Sequence, residues 1–171
     1  MNTNSVLLAY ATRYGSTQEV AEAITTTLCQ DGIKVDIQPM QDVKNLDNYS
    51  AVVLGAALYN ARWHPEAHNF LSQYQETLKQ QPVAIFTLGP LSTSDAAMRR
   101  SRSQLDRELE KYPWLKPVAV EMFVGKSDPS KMGVFERMFT KASDHRDWKA
   151  IRAWANYLAT QLDQIAVLSP A

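Results

Sequence analysis

Apolar and polar positions along this chain fall into two alternating regimes. Short, wholly apolar runs of strand length are separated by longer stretches in which apolar residues recur every three or four positions. Ser5 to Ala11 is the first short run and predicts a buried strand. From Ser16 the spacing is helical: Val20, Ile24 and Leu28 recur every four residues, and Asp31-Gly32 ends the element. Ile33, Val35 and Ile37 alternate with polar residues, which predicts a second strand at a sheet edge. After a polar connection from Met40 to Tyr49, Ala51 to Ala57 is apolar on both faces, as a central parallel strand should be. His64-Pro65 opens a helix with Phe70, Leu71, Tyr74 and Leu78 along one stripe. Pro82 to Leu88 predicts a fourth strand. Met98, Leu105, Leu109 and Tyr112 mark a helix stopped near Pro113, and Val118 to Val124 predicts a fifth strand. A last helix is expected from near Asp144, a good N-cap type, with Trp148, Ile151, Ala155, Leu158, Leu162 and Ile165 on one face.

This alternation predicts an α/β fold: a doubly wound, five-stranded parallel sheet with helices on both faces. In such sheets ligands bind beyond the carboxyl ends of the strands, where the winding direction switches. The loops after strands one, three and four are therefore the places to look for chemistry. Residues 126–143 do not fit the alternation and predict a helical or loop insertion after strand five. The 171 residues suit a single domain spanning 1–171.

The first of these loops is Thr12-Arg13-Tyr14-Gly15-Ser16-Thr17, joining a strand to a helix N-terminus. Unpartnered backbone N–H groups there favour an anion, three hydroxyls add donors, and Gly15 permits close approach. The same hydroxyls would also serve simply to cap the helix. The loop has neither the lysine of a P-loop nor the spacing of a dinucleotide fingerprint, which argues against ATP and NAD. The second loop, Ala57-Leu58-Tyr59-Asn60-Ala61-Arg62-Trp63, offers Tyr59 and Trp63 as flat walls for a heteroaromatic ring and Asn60 as an edge contact. Packing of both aromatics on the next helix is the alternative. The third loop, Leu88-Gly89-Pro90-Leu91-Ser92, brings a glycine and a hydroxyl to the same end of the sheet.

Other clusters carry less. His64 and His68 lie four apart on a helix without a third ligand, so no metal site is expected. Arg99, Arg100 and Arg102 read as solvated surface or, less simply, a carboxylate site. Asp144 to Asp147 reads as a solvated helix start. Lys+Arg and Asp+Glu both number 18, so zero formal net charge gives no reason to expect a nucleic-acid partner. Cys29 is the only cysteine, the N-terminus has no leader pattern, and no apolar run would span a bilayer. A cytoplasmic protein is expected, with at most peripheral contact with a membrane.

The stretch Tyr10-Ala-Thr-Arg-Tyr-Gly-Ser-Thr17, with its Thr-x-x-Gly-x-Thr spacing, resembles the FMN-phosphate loop of the flavodoxin family. The resemblance runs over nearly the whole chain. It is nearest to the branch that contains menaquinone-dependent protoporphyrinogen oxidase, through the segment Gly125 to Ser143 and the motif Asp144-His145-Arg146-Asp147-Trp148. It implies a flavodoxin-like sheet of order 2-1-3-4-5 and FMN as cofactor. It also implies phosphate contacts at residues 12–17, isoalloxazine contacts in 57–63 and 88–92, and no dedicated catalytic side chain. Tyr14 stands where many flavodoxins have threonine, and the inserted segment is shorter than in the oxidase. The implied function is FMN-dependent transfer of hydride equivalents from a reduced apolar substrate such as a porphyrinogen to a quinone. The alternative is electron shuttling to a larger redox partner protein. Between Lys126 and Ser143, Phe135, Met138 and Phe139 would share one face of a short helix. That face either covers the sheet edge or forms a lid over the flavin edge.

Overall fold

The computed structural model describes residues 5–168. Residues 1–4 and 169–171, where the leader reading and the ends of the expected domain fall, lie outside the described residues. In chain order the first half runs β1 (Ser5–Ala11), α1 (Ser16–Gln30), β2 (Lys34–Pro39), β3 (Ala51–Tyr59), β4 (Arg62–Trp63), α2 (Pro65–Gln73) and α3 (Gln75–Leu78). The second half runs β5 (Val83–Leu88), α4 (Asp95–Leu109), β6 (Ala119–Phe123), β7 (Lys126–Ser127), α5 (Val134–Phe139), β8 (Ser143–Asp144) and α6 (Trp148–Leu168). The sheet order is β2-β1-β3-β5-β6, all parallel. The two-residue β4 folds back antiparallel on β3. Leaving β4 aside, the parallel strands follow the expected 2-1-3-4-5 winding.

Strand alternation divides the core. Leu8, Val53 and Phe86 point to the layer formed with Val20, Ile24 and Ile151 of α1 and α6. Leu7, Leu54 and Ile85 point to the opposite layer with Phe70, Leu71 and Leu105. Both faces of the inner strands are therefore apolar, which is why the sequence shows continuous runs there. Gly55 is paired with Phe86 across β3 and β5, and a Cβ on Gly55 would lie 2.0 Å from Phe86 Cζ. The missing side chain is the space the Phe86 ring fills. That ring meets Trp154 of α6 edge-on at 6.2 Å, so the glycine indirectly seats α6.

Between β6 and α6 the chain forms a separate small motif. β7 pairs antiparallel with β8, and a 3₁₀ turn (Pro129–Lys131) and α5 lie between them. Two expectations are corrected here. The last helix starts at Trp148, not near Asp144: Asp147 Oδ1 accepts the Ala150 N–H at 3.0 Å, while Asp144 belongs to β8. The reading of Asp144 to Asp147 as a solvated stretch holds for Asp144, His145 and Asp147, which are exposed, and is corrected for Arg146, whose side chain is only 2% exposed. Its guanidinium pairs with Glu19 Oε2 at 2.6 Å and with Asp144 through contacts of 2.7 and 2.8 Å, and lies over the Trp148 ring at 4.6 Å. Arg146 thus ties the inserted segment to the first turns of α1. Burial alone would raise the Glu19 carboxyl, but Arg146 and Lys126 outweigh it and hold it below its ordinary value. The Arg146 hydrogen bond does the same for Asp144.

The expected cover over the sheet edge is also corrected. Phe135, Met138 and Phe139 of α5 are 82%, 71% and 86% exposed. They pack on no part of the core.

Two outcomes follow from these contacts. Gly55→Ala should lower unfolding stability by about 1–3 kcal/mol through overpacking, and Phe86→Leu in the same chain should recover part of the loss. Chemical denaturation of the single and double variants measures both. Arg146→Met should leave the sheet intact but loosen residues 126–144, seen as faster amide exchange and proteolysis there. In the parent the same loosening should appear below about pH 4, because depressed carboxyl pKa values stabilise above the unfolded pKa and that contribution is lost as pH falls through the folded one.

Candidate functional site

The strand carboxyl ends open into a cleft of about 490 Å³, within the about 300–1,000 Å³ usual for small-molecule sites. Three loops meet there, those after β1, β3 and β5.

The loop after β1 is shaped by its own atoms. Thr12 Oγ1 accepts the Gly15 N–H at 2.9 Å, and Gly15 takes a left-handed φ of +88° that starts α1. No side chain caps this helix. By contrast, His64 Nδ1 caps α2 by accepting the Glu66 N–H, and the Ser94 hydroxyl caps α4 by accepting the Ala97 N–H. Thr17 is fully buried in the first turn and its Oγ1 has no hydrogen-bond partner. Arg13, Tyr14 and Ser16 line the cleft.

After β3, the register pairs Tyr59 with Arg62 and Leu58 with Trp63. The connecting residues Asn60 and Ala61 both have positive φ, 48° and 63°. Two such residues make the tight primed turn that matches strand twist. The hairpin brings residues 57–61 to the cleft and sets the Tyr59 ring edge-on to Tyr14 at 6.2 Å. Burial raises the Tyr59 phenol pKa, so the ring is neutral at physiological pH. Arg62 is exposed outside the cleft. Trp63 is not a wall of it: the indole is 2% exposed, its Nε1–H donates to the Ala56 carbonyl at 3.3 Å, and it packs with the α2 and α4 layer.

After β5, Leu88, Gly89, Pro90 and Leu91 line the cleft, whereas Ser92 is exposed and accepts the Ser94 N–H at 3.2 Å. This loop is bonded to the end of β6: Gly89 N–H donates to Phe123 O at 2.8 Å and Gly125 N–H to Pro90 O at 2.9 Å. A Cβ on Gly89 would come within 2.7 Å of Met122 Sδ, so a larger residue there would require the Met122 side chain to move.

Sequence reasoning missed the fourth side. Lys126 and Ser127 of β7, Glu136 of α5, and Ser101 and Gln104 of α4 also line the cleft, together with Phe139, which the lid reading of α5 names. The break in alternation after strand five was the available signal for Lys126, Ser127 and Glu136, but it gave no direction for their side chains. Glu136 bonds Arg13 Nη2 at 2.8 Å and also the Tyr14 hydroxyl, which joins α5 to the loop after β1. The Arg99, Arg100 and Arg102 side chains are exposed on α4, Arg102 pairing with Asp106. His68 pairs with Glu108 at 2.8 Å, and no group of three metal-ligating side chains occurs among the described residues.

FMN, implied by the phosphate-loop resemblance, makes specific demands. Its phosphate needs donors without internal partners, and its rings need a flat apolar slot with a few polar groups. The uncapped α1 start and the unpartnered Thr17 hydroxyl meet the first. Leu58, Tyr59, Pro90 and Leu91 around the cleft meet the second. The residues fit the group.

Comparison with known proteins bears on this fit. Over 84 residues the chain is 26% identical to protoporphyrinogen IX dehydrogenase [quinone] of Escherichia coli K12, a match covering 48% of this chain and 46% of that protein. The chain thus spans less than half the length of the curated relatives it matches. In structure it is similar to flavodoxin 1 from Bacillus cereus, at 12% identity and TM-score 0.56, covering 94% of this chain and 97% of that one. It is also similar to rubredoxin oxygen:oxidoreductase from Desulfovibrio gigas, at 18% identity and TM-score 0.59, covering 95% and 37%. These likenesses show the fold. A family model described as the flavodoxin domain, a family whose cofactor is FMN, matches residues 7–147, and the chain belongs to that family.

Proposed function

We propose that this chain acts as an FMN oxidoreductase on an apolar redox substrate of the quinone or porphyrinogen kind. The observation that carries the reading is the combination of an uncapped α1 N-terminus, an orphaned Thr17 hydroxyl and an apolar slot, all at the winding switch. The name of the curated relative supports the substrate class.

When bound, FMN would supply hydride and single-electron chemistry. The chain's part is to hold and shield it. In this reading the α1 N–H groups and Thr17 take the phosphate, Gly15 leaves room for it, and Leu58, Tyr59, Pro90 and Leu91 bracket the rings. No side-chain acid or base is invoked. At the mouth, Phe139 lines the cleft, and Val134, Phe135 and Met138 beside it are exposed. An apolar rim of this kind suits an apolar substrate better than a charged one, and zero net charge does not favour docking onto a strongly basic protein. No helix among the described residues is long and apolar enough to cross a membrane.

FMN titration followed by flavin fluorescence tests the reading. Saturable binding is expected, with NAD failing to compete; absence of any FMN binding overturns it. Thr17→Val removes the orphaned hydroxyl but keeps the shape. FMN affinity should fall about 10- to 100-fold, equivalent to about 1.5–3 kcal/mol for a hydrogen bond to a charged group. The cofactor-free protein should melt no lower than the parent, since a buried hydroxyl without a partner stabilises nothing. Phe135→Ser with Phe139→Ser should raise KM for a quinone acceptor while FMN affinity and melting temperature stay unchanged.

A further inference from the structure

Cations at the phosphate end of the cleft are unequally committed. Arg13 pairs with Glu136, Lys126 with Glu19, and Arg146 with Glu19 and Asp144. Lys131, in the 3₁₀ turn of the inserted segment, has no ion pair among the described residues, although its field reaches Asp128. Its Nζ lies 3.3 Å from where a Gly15 Cβ would be, directly over the loop that starts α1. Asp128 forms no ion pair with it within 4 Å; its Oδ1 accepts from Ser130 N–H at 3.1 Å and from the Ser130 hydroxyl.

A second observation points the same way. Ser127, the last residue of β7, is 3% exposed, lines the cleft, and its Oγ has no partner. Buried hydroxyls are normally satisfied, and one left open against a ligand cavity marks a place where the ligand completes the bonding. The inserted segment therefore places an ammonium without an ion pair beside Gly15, at the loop that starts α1, and an unpartnered hydroxyl in the wall of the cleft. Arg146 keeps it there by joining β8 to α1.

We infer that the segment between β6 and α6 completes the cofactor's phosphate site, with Lys131 as its cation and Ser127 as an added hydroxyl donor. The inference rests on the FMN reading above. The phosphate is then held from two sides: by the loop after β1 beneath it and by the inserted segment above. Glu136 sets a limit on the arrangement, since its carboxylate occupies Arg13 and leaves Lys131 as the cation available to the phosphate.

Comparison of FMN with riboflavin, which lacks the phosphate, isolates this role. Equilibrium titrations of the full chain are made with both ligands for the parent, Lys131→Met, Lys131→Arg and Ser127→Ala. Lys131→Met should weaken FMN about fivefold, as expected for a solvent-accessible charge pair. Ser127→Ala should weaken it about tenfold. Riboflavin affinity should stay at the parent value in both, and Lys131→Arg should retain FMN. FMN affinity unchanged in either variant overturns the inference. So does a parallel fall in FMN and riboflavin, which would mean that the residue only props up the segment. A parent that binds neither ligand fails the proposed function itself, a result distinct from both.

Discussion

A helix start that the protein does not finish is the constraint on which this molecule turns. β1 is the second strand of the sheet and lies between β2 and β3, so α1 leaves from near the sheet centre, at the point where the winding switches. A side chain commonly closes the first turn of a helix, as in α2 and α4, although the short α3 and α5 also lack one. α1 begins instead on a left-handed glycine, with no cap and with Thr17 buried unpaired. A terminus in that condition carries a partial positive charge and open donors. Water satisfies it at some cost in order, and an anion satisfies it better. The neighbouring loops are consistent with that role: the β3–β4 hairpin and the Gly89–Phe123 and Gly125–Pro90 bonds fix apolar surfaces beside the open donors.

The inserted segment is held by a different kind of force. α5 buries no side chain, so hydrophobic packing does not place it. Its position depends on polar ties: Arg146 to Glu19 and Asp144, Lys126 to Glu19, and Glu136 to Arg13 and Tyr14. Of these only Arg146 is fully buried, and a buried guanidinium demands two well-placed carboxylates to offset its desolvation. The exposed pairs contribute little each. One strong anchor and several weak ties leave the α5 end free to open at modest cost while the β7–β8 end stays fixed. Under the function proposed above, this is the behaviour required of the mouth of a site that admits a cofactor and then a substrate.

The fold was legible because it is written in short-range pattern. Runs such as Ala51 to Ala57, apolar on both faces, have one good explanation in a parallel sheet, and the four-residue recurrence of Val20, Ile24 and Leu28 has one in a helix. The extra strand β4 was not legible, since its turn is Asn60-Ala61 and lacks the glycine that usually announces a primed turn. Trp63 stayed open between wall and core for the same reason: with the hairpin unseen, nothing told one from the other. The start of the last helix was displaced because Asp144 and Asp147 are both good caps. What separates them is Arg146, whose partner Glu19 lies on α1, far away in sequence. The cleft residues Lys126, Ser127 and Glu136 fell in a stretch without period, and only the tertiary ties give their side chains a direction.

The hairpin illustrates how the site stores a preference that pattern alone does not show. Ala61 sits at φ 63°, a region that costs a residue with a Cβ about 1–2 kcal/mol. Glycine there would relieve the strain and stabilise the turn, yet it would also widen the range of conformations open to the loop. With Asn60 and Ala61 both committed, the register Tyr59–Arg62 and Leu58–Trp63 is fixed, and Trp63 is driven into the core, where its indole bonds Ala56 O. That anchor holds Leu58 and Tyr59 at the cleft in one orientation. A flat ligand gains most from walls that are already in place, because walls that must first be ordered subtract from affinity. The strain in the turn is therefore best understood as the local cost of a preformed slot, offset by the burial of Trp63 behind it.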